Sequence, residues 1–304
     1  MPSNPPCQPG AAVIQTPTIL LVEPTYYDVS YSINPWMDPA AWARDPHGMH
    51  RNAMQSFHAL RDALGRAGFA VELAPGAPGL PDMVFPANAA VVLDGRALLA
   101  RFRYPQRRGE EAPFADIFGK LRERGLLDEV ALLPEGCYQE GAGDCIWDAG
   151  RGHFWAGFGP RSSHQAAQAV SRYFGKDVVA LELATEQSYH LDVCFCPLSG
   201  GEVLYYPPAF SAVALRELRA RVPARLRIEA SADDLRHFSV NAVNLDDQVV
   251  MTRTTPHLRS ELGRRGYQLH EVDLSPFMLS GGGAYCMTLR LDRSSGGGVA
   301  AAAA

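Results

Sequence analysis

Apolar and polar positions along the chain fall into two alternating patterns. Four segments share one plan: NAAVVLDGRALLARF from Asn88, DCIWDAGRGHFWAGFG from Asp144, DVCFCPLSGGEVLYYPPAF from Asp192 and NAVNLDDQVVMTR from Asn241. Each opens on Asn or Asp, continues as an apolar run of strand length, turns at a Gly- or Asp-rich point and returns in a second run. That is the signature of a β-hairpin. Between them lie FADIFGKLRERGL, HQAAQAVSRYFG, AVALRELRARV and HLRSELGRRG. Their apolar residues recur every three or four positions, which predicts helices. The hairpin openings recur roughly every 50 residues, the spacing of a repeat architecture. A fifth unit can be assembled from the early strand TILLVEP, the helix MQSFHALRDALGRAGF that follows it, and the late strand AYCMTLRLD.

The predicted fold is therefore a single α/β domain over 18–292, a five-bladed α/β propeller of pseudo-symmetric ββα-type units closed by pairing the two ends of the chain. The Pro-, Ser- and Gly-rich start predicts a flexible arm over 1–17, and the low-complexity end a disordered tail over 293–304. A propeller sends the first residue of each hairpin toward a common axis, so Asn88, Asp144, Asp192 and Asn241 are expected to line one central site. Taken singly, each also suits an ordinary turn or cap.

Composition narrows the class without naming a partner. The 304 residues are 47% hydrophobic and 20% charged, as in a soluble enzyme. The net charge of −5 argues against a nucleic-acid surface. No apolar run approaches ~18 residues, so no membrane span is expected. The N-terminal stretch lacks a basic region followed by an apolar one, so a cytoplasmic chain is expected. Six cysteines, Cys7, Cys137, Cys145, Cys194, Cys196 and Cys286, are then expected as thiols. Cys194 and Cys196 alternate in an apolar run and have no second Cys/His pair at zinc spacing, so they read as core rather than metal ligands. The oligomeric state is left open.

Three polar stretches carry chemistry. HLD at 190–192 puts His190 two residues from Asp192, on one face if the stretch is a strand; imidazole suits proton transfer near neutrality. EGAGD at 140–144 and PDMVFPAN at 81–88 add Glu140, Asp144, Asp82 and Asn88. Buried unpaired carboxylates are costly, so a site that gathers them expects a cation. A planar guanidinium, with N–H donors in matched pairs, fits carboxylates better than a metal would fit this donor set. In GGGAYCMT, Cys286 can then act as a nucleophile on the electron-poor guanidinium carbon, with the glycines leaving room for substrate. The alternative for that stretch is a glycine turn feeding a core strand.

Taken together, YYDVSYSINPWM, PDMVFPANAAVVLDG, YPQRRGEE, EGAGD, HLDVCFCPL and GGGAYCMTLRL resemble the guanidine-modifying superfamily of α/β propellers. That group includes dimethylarginine dimethylaminohydrolases, arginine deiminases, arginine dihydrolases and amidinotransferases. The resemblance implies Cys286 as nucleophile and His190 as general acid and later base. It implies Glu140 and Asp82 as carboxylates holding the guanidinium or the histidine, and Asp192 as part of a His-x-Asp pattern. Arg108 and Arg161 match arginines that clamp a substrate α-carboxylate, and Asn34 lies where an N-terminal lid meets substrate. No metal and no organic cofactor are implied; the partner is a small guanidino compound. EGAGD is one residue longer than the usual E-x-G-D, which leaves the partner of Asp144 open.

Asn88 stands where deiminases and dimethylargininases carry Asp, and where arginine dihydrolases carry Asn. A carboxamide both donates and accepts, so it can hold a neutral ureido group for a second attack. The implied reaction takes arginine to ornithine, carbon dioxide and two ammonia. Single hydrolysis of arginine or a methylated arginine to citrulline, amidinotransfer, and an inactive arginine-binding regulatory propeller are the alternatives. A papain-like protease has no use for the acidic cluster.

Overall fold

The computed structural model describes residues 16–296. Most of the arm expected over 1–17, Cys7, and the tail from 297 onward lie outside the described residues. Fifteen strands form five three-stranded sheets. In the first, β1 (Thr18–Val22) leads through the helix Pro46–Arg66 to β2 (Ala70–Ala74), which lies parallel to it. The second holds β3 (Ala90–Leu93), β4 (Arg96–Leu99), the helix Glu111–Glu123 and β5 (Glu129–Leu132). The third holds β6 (Cys145–Asp148), β7 (His153–Phe158), the helix Ala166–Phe174 and β8 (Val178–Glu182). The fourth holds β9 (Phe195–Pro197), β10 (Val203–Tyr205), the helix Ala212–Arg221 and β11 (Arg227–Glu229). The fifth holds β12 (Val243–Leu245), β13 (Gln248–Met251), the helix Pro256–Arg264 and β14 (Gln268–Glu271). Finally β15 (Leu289–Arg290) pairs antiparallel with β1, so the last strand closes the first sheet.

This is the five-bladed α/β propeller, with one addition. Each unit is ββαβ, because the helix returns the chain to a third strand parallel to the middle one. A parallel pair requires such a crossover. The hairpin between β3 and β4 turns on Asp94 and Gly95, both left-handed at φ 52° and 70°. Two positive φ values in succession are what a tight hairpin turn with strand-matching twist demands.

The helices pack outside the sheets. Phe57, Leu60 and Leu64 on one face of the first helix meet Ile19 and Leu21 of β1, all buried. Phe114, Phe118 and Leu121 of the second meet Leu20, Val92 and Leu99. Each fully buried side chain of this size contributes roughly 2–3 kcal/mol. Side-chain caps start several helices: Asp45 accepts from Gly48 N–H, Ser211 from Ala214 N–H and Thr255 from Leu258 N–H. Cys194 and Cys196 enter two different core clusters.

The innermost strands β3, β6, β9, β12 and β15 surround the axis. They begin within three residues after Asn88, Asp144, Asp192, Asn241 and Cys286 respectively. Cys286 is thus the fifth member of the ring that the other four outlined. Beyond the expected end at 292, Arg293 O accepts from Asp94 N–H, and Ser295 donates through both N–H and hydroxyl to the Asp94 carboxylate. Among the described residues no helix is long and apolar enough to cross a membrane.

Candidate active site

Cys286 sits in the turn before β15 and is 1% exposed. Its thiol donates to Asp192 Oδ2 at 3.1 Å, and Asn241 Nδ2 donates to the sulfur at 3.1 Å. Asn241 Oδ1 also accepts from Cys286 N–H, so one side chain holds both ends of the residue. Burial and the adjacent Asp192 charge push the thiol well above its ordinary pKa. Cys286 is therefore held as a thiol in the free protein.

His190 precedes a single helical turn, Leu191–Cys194, rather than lying in a strand. The strand argument for a shared face with Asp192 is thus replaced by a tight turn that brings both to the axis. His190 Nε2 donates to Glu140 Oε2 at 2.7 Å. Burial pushes Glu140 up, but Arg161 and the His190 N–H outweigh it and hold the carboxylate well below its usual range. An ionised carboxylate only accepts, so Nε2 carries the proton and Nδ1 is the free base. Burial lowers His190 itself to about 4, against the pull of Glu140. His190 is neutral at rest.

Asn88 follows Ala87, whose N–H donates to the Cys286 carbonyl at 3.3 Å. Its Oδ1 accepts from Arg107 Nη1 at 2.7 Å, which turns Nδ2 toward His190 Nδ1 at 3.5 Å. The amide orientation follows from this network, since a guanidinium offers only donors. Arg107 is fixed in turn by a bidentate pair with Glu110, at 2.9 and 2.8 Å, and by the Asp82 carbonyl. A Cβ on Gly143 would overlap the Asn88 amide nitrogen, so only glycine allows this approach.

Asp144 anchors the histidine's backbone. Its Oδ1 accepts from Leu191 N–H at 3.0 Å and its Oδ2 from Ser162 Oγ at 2.6 Å. That supplies the partner the EGAGD spacing left open. Burial pushes Asp192 up to about 7 despite its bonds from Cys286 and Asn241. Burial likewise raises Asp82, whose Oδ2 accepts from Tyr31. One oxygen of each, Asp82 Oδ1 and Asp192 Oδ1, is buried without a donor.

Arg161 is buried between the Tyr104 and Tyr189 rings, each 4.7 Å from its guanidinium. It donates to Glu140 and, through Nη2, to Ile33 O at 3.1 Å. Asn34 Nδ2 donates to Ser280 O, and Trp36 Nε1 to Gln187 O. The segment 31–36 is thus tied to Arg161, Ser280 and Gln187.

Two sequence expectations change. Arg108 is exposed, its guanidinium on the Phe102 and Arg103 carbonyls; its neighbour Arg107 occupies the site. The glycines at 281–283 do not leave a passage for substrate. A Cβ on Gly282 would overlap the Phe85 ring, and one on Gly283 would crowd Asn241 Oδ1. Arg107, Glu110, Ser162 and the thiol-holding role of Asn241 were not read from the sequence. Among the described residues no His, Cys, Asp and Glu cluster is arranged to hold a metal ion.

The family model for N,N dimethylarginine dimethylhydrolase, eukaryotic, matches residues 34–293. The chain belongs to this dimethylarginine dimethylaminohydrolase family, within the guanidine-modifying superfamily. Relatives divide over the reaction. The bifunctional arginine dihydrolase/ornithine cyclodeaminase ArgZ of Synechocystis is 38% identical over 90% of this chain, which spans 37% of that protein's length. The N(G),N(G)-dimethylarginine dimethylaminohydrolase of Mycobacterium tuberculosis is 32% identical over 93% of the chain and 88% of its own length. The N-terminal domain of ArgZ, solved as a cysteine-to-serine variant bound to substrate, superposes with a TM-score of 0.84 at 36% identity, covering 92% of this chain and 99% of that one. Another structure of that domain, an asparagine-to-serine variant, is covalently bound to a reaction intermediate.

Proposed function

We propose that the protein is a cysteine-dependent guanidine hydrolase that converts L-arginine to ornithine, carbon dioxide and two ammonia. The observation that carries the guanidinium is the pair of buried carboxylate oxygens without donors, Asp82 Oδ1 and Asp192 Oδ1, beside a protonated thiol. A guanidinium supplies the missing N–H groups, and its charge lowers the pKa of Cys286.

The proton inventory closes. Cys286 gives its proton to His190 Nδ1, and the thiolate adds to the guanidinium carbon. The imidazolium, stabilised by Glu140, protonates the departing ammonia. Water, deprotonated by the again neutral His190, attacks the thiouronium carbon and expels Cys286, leaving citrulline. In the second round Cys286 adds to the ureido carbon and a second ammonia leaves. Water then releases a carbamate that loses carbon dioxide to give ornithine. In this reading Arg161 Nη2 exchanges the Ile33 carbonyl for the substrate α-carboxylate as 31–36 moves aside.

The second round rests on Asn88. Because Arg107 occupies Oδ1, the face presented to the site is Nδ2–H₂, a donor for a neutral ureido oxygen. A carboxylate there would repel it. The dihydrolase-named relatives support this reading. Incubation with L-arginine, with Cys286→Ser as control, tests it. Two ammonia and one ornithine per arginine are expected. Citrulline with one ammonia would return the protein to single hydrolysis.

A further inference from the structure

The active site occupies one end of the inner-strand ring. At the other end, past the far ends of β6, β9, β12 and β15, lies a second cavity of about 280 Å³. Arg293 and Tyr285 line it, together with Trp147, and the same three line a smaller void deeper in the channel.

Three aspartates, Asp148, Asp246 and Asp292, and two arginines, Arg290 and Arg293, line this cavity. Arg290 is spent on a bidentate pair with Asp292, at 2.8 and 2.6 Å. Asp148 is spent on Arg151 and on the Trp155 N–H. Asp246 stands at the exposed rim. Among the described residues, the Arg293 guanidinium has neither an ion pair nor a hydrogen bond, and burial lowers its pKa. Trp147 Nε1 is a buried donor without an acceptor, and the Tyr285 hydroxyl makes no hydrogen bond to the described residues. A guanidinium, an indole N–H and a phenol around one cavity are three donors short of acceptors. Of these the indole N–H is fully buried, and a buried donor is normally satisfied, by protein, water or ligand.

We propose that this far cavity binds a small oxyanion, a phosphate or a carboxylate, with Arg293 as its main contact. The geometry separates it from the catalytic groups, since Tyr285 lies in the channel between Cys286 and the cavity. The site is thus open to an anion while arginine occupies the other end.

Titration calorimetry of the full chain tests this at constant ionic strength, in a Cys286→Ser background that leaves arginine intact. Inorganic phosphate and succinate are the two probes, each run with and without saturating L-arginine. Binding of either probe is expected to persist with arginine present. It should weaken at least about tenfold in Arg293→Gln, the scale of a lost charge-assisted hydrogen bond. Arg293→Lys should recover part of it, and Tyr285→Phe should weaken it less. The probe that binds tells phosphate from carboxylate. Unchanged melting temperatures in the absence of probe show that the variants are folded. The proposal is overturned if neither probe binds, if arginine displaces the probe, or if Arg293→Gln binds as the parent does.

Discussion

Arg107 Nη1 donates to Asn88 Oδ1 at 2.7 Å, and this bond turns the Nδ2 edge of the carboxamide toward His190 Nδ1. The arginine is held from its other edge, where Nε and Nη2 both donate to Glu110. Loosening that grip should loosen the amide. Glu110→Gln keeps the shape and removes the charge that orients Arg107. The expected result is a raised fraction of citrulline among the products, with arginine consumption less affected. Product ratios by chromatography measure it; a ratio equal to that of the parent would show that Asn88 is oriented by something else.

Glu140 selects the histidine tautomer and stabilises the imidazolium. Glu140→Gln can still accept from Nε2 but carries no charge. The expected fall in kcat is about 10²- to 10⁴-fold, the range of general acid–base catalysis. Binding of arginine should weaken too, but less, because Glu140 holds Arg161, the proposed partner of the substrate carboxylate, and is not itself one of the carboxylates with an unpaired oxygen. Comparable losses in both would place Glu140 in substrate binding instead.

The pH dependence follows from Asp192. Its carboxyl is raised to about 7 in the free protein, so it is protonated below that pH and ionised above it. Only the ionised form attracts a guanidinium. Consequently kcat/KM should climb as pH rises through about 7. The same limb in kcat should lie lower, because a bound cation favours the carboxylate. His190, at about 4, does not limit this range. Rate profiles over about pH 5 to 9 separate the two limbs; a flat kcat/KM across neutrality would remove Asp192 from cation binding.

The fold was legible where burial is continuous. β3 and β6 are buried at every position, so they appear as unbroken apolar runs. β5 (EVAL) and β14 (QLHE) are short and exposed at both ends, and a four-residue mixed pattern carries no readable period. Cys286, His190 and Glu140 were legible because thiol, imidazole and carboxylate are few and their chemistry is specific. Arg107 was not distinguishable from Arg108 by type. The two are neighbours in the one-turn helix Pro105–Arg108, where successive side chains point about 100° apart, so only the folded turn says which faces inward. Asn241 was visible as a repeat member, but its bonds to Cys286 join residues 45 positions apart. The glycines before Cys286 signalled close approach correctly in kind; what approaches is Phe85 and Asn241.

Asn88 is the group we propose to retain the ureido intermediate for a second attack. Asn88→Asp tests it most directly, with L-arginine as substrate and ornithine, citrulline and ammonia quantified over time. The parent is expected to give ornithine with two ammonia, and Asn88→Asp predominantly citrulline with one. Ornithine as the main product of Asn88→Asp, formed at the parent's rate, would contradict it.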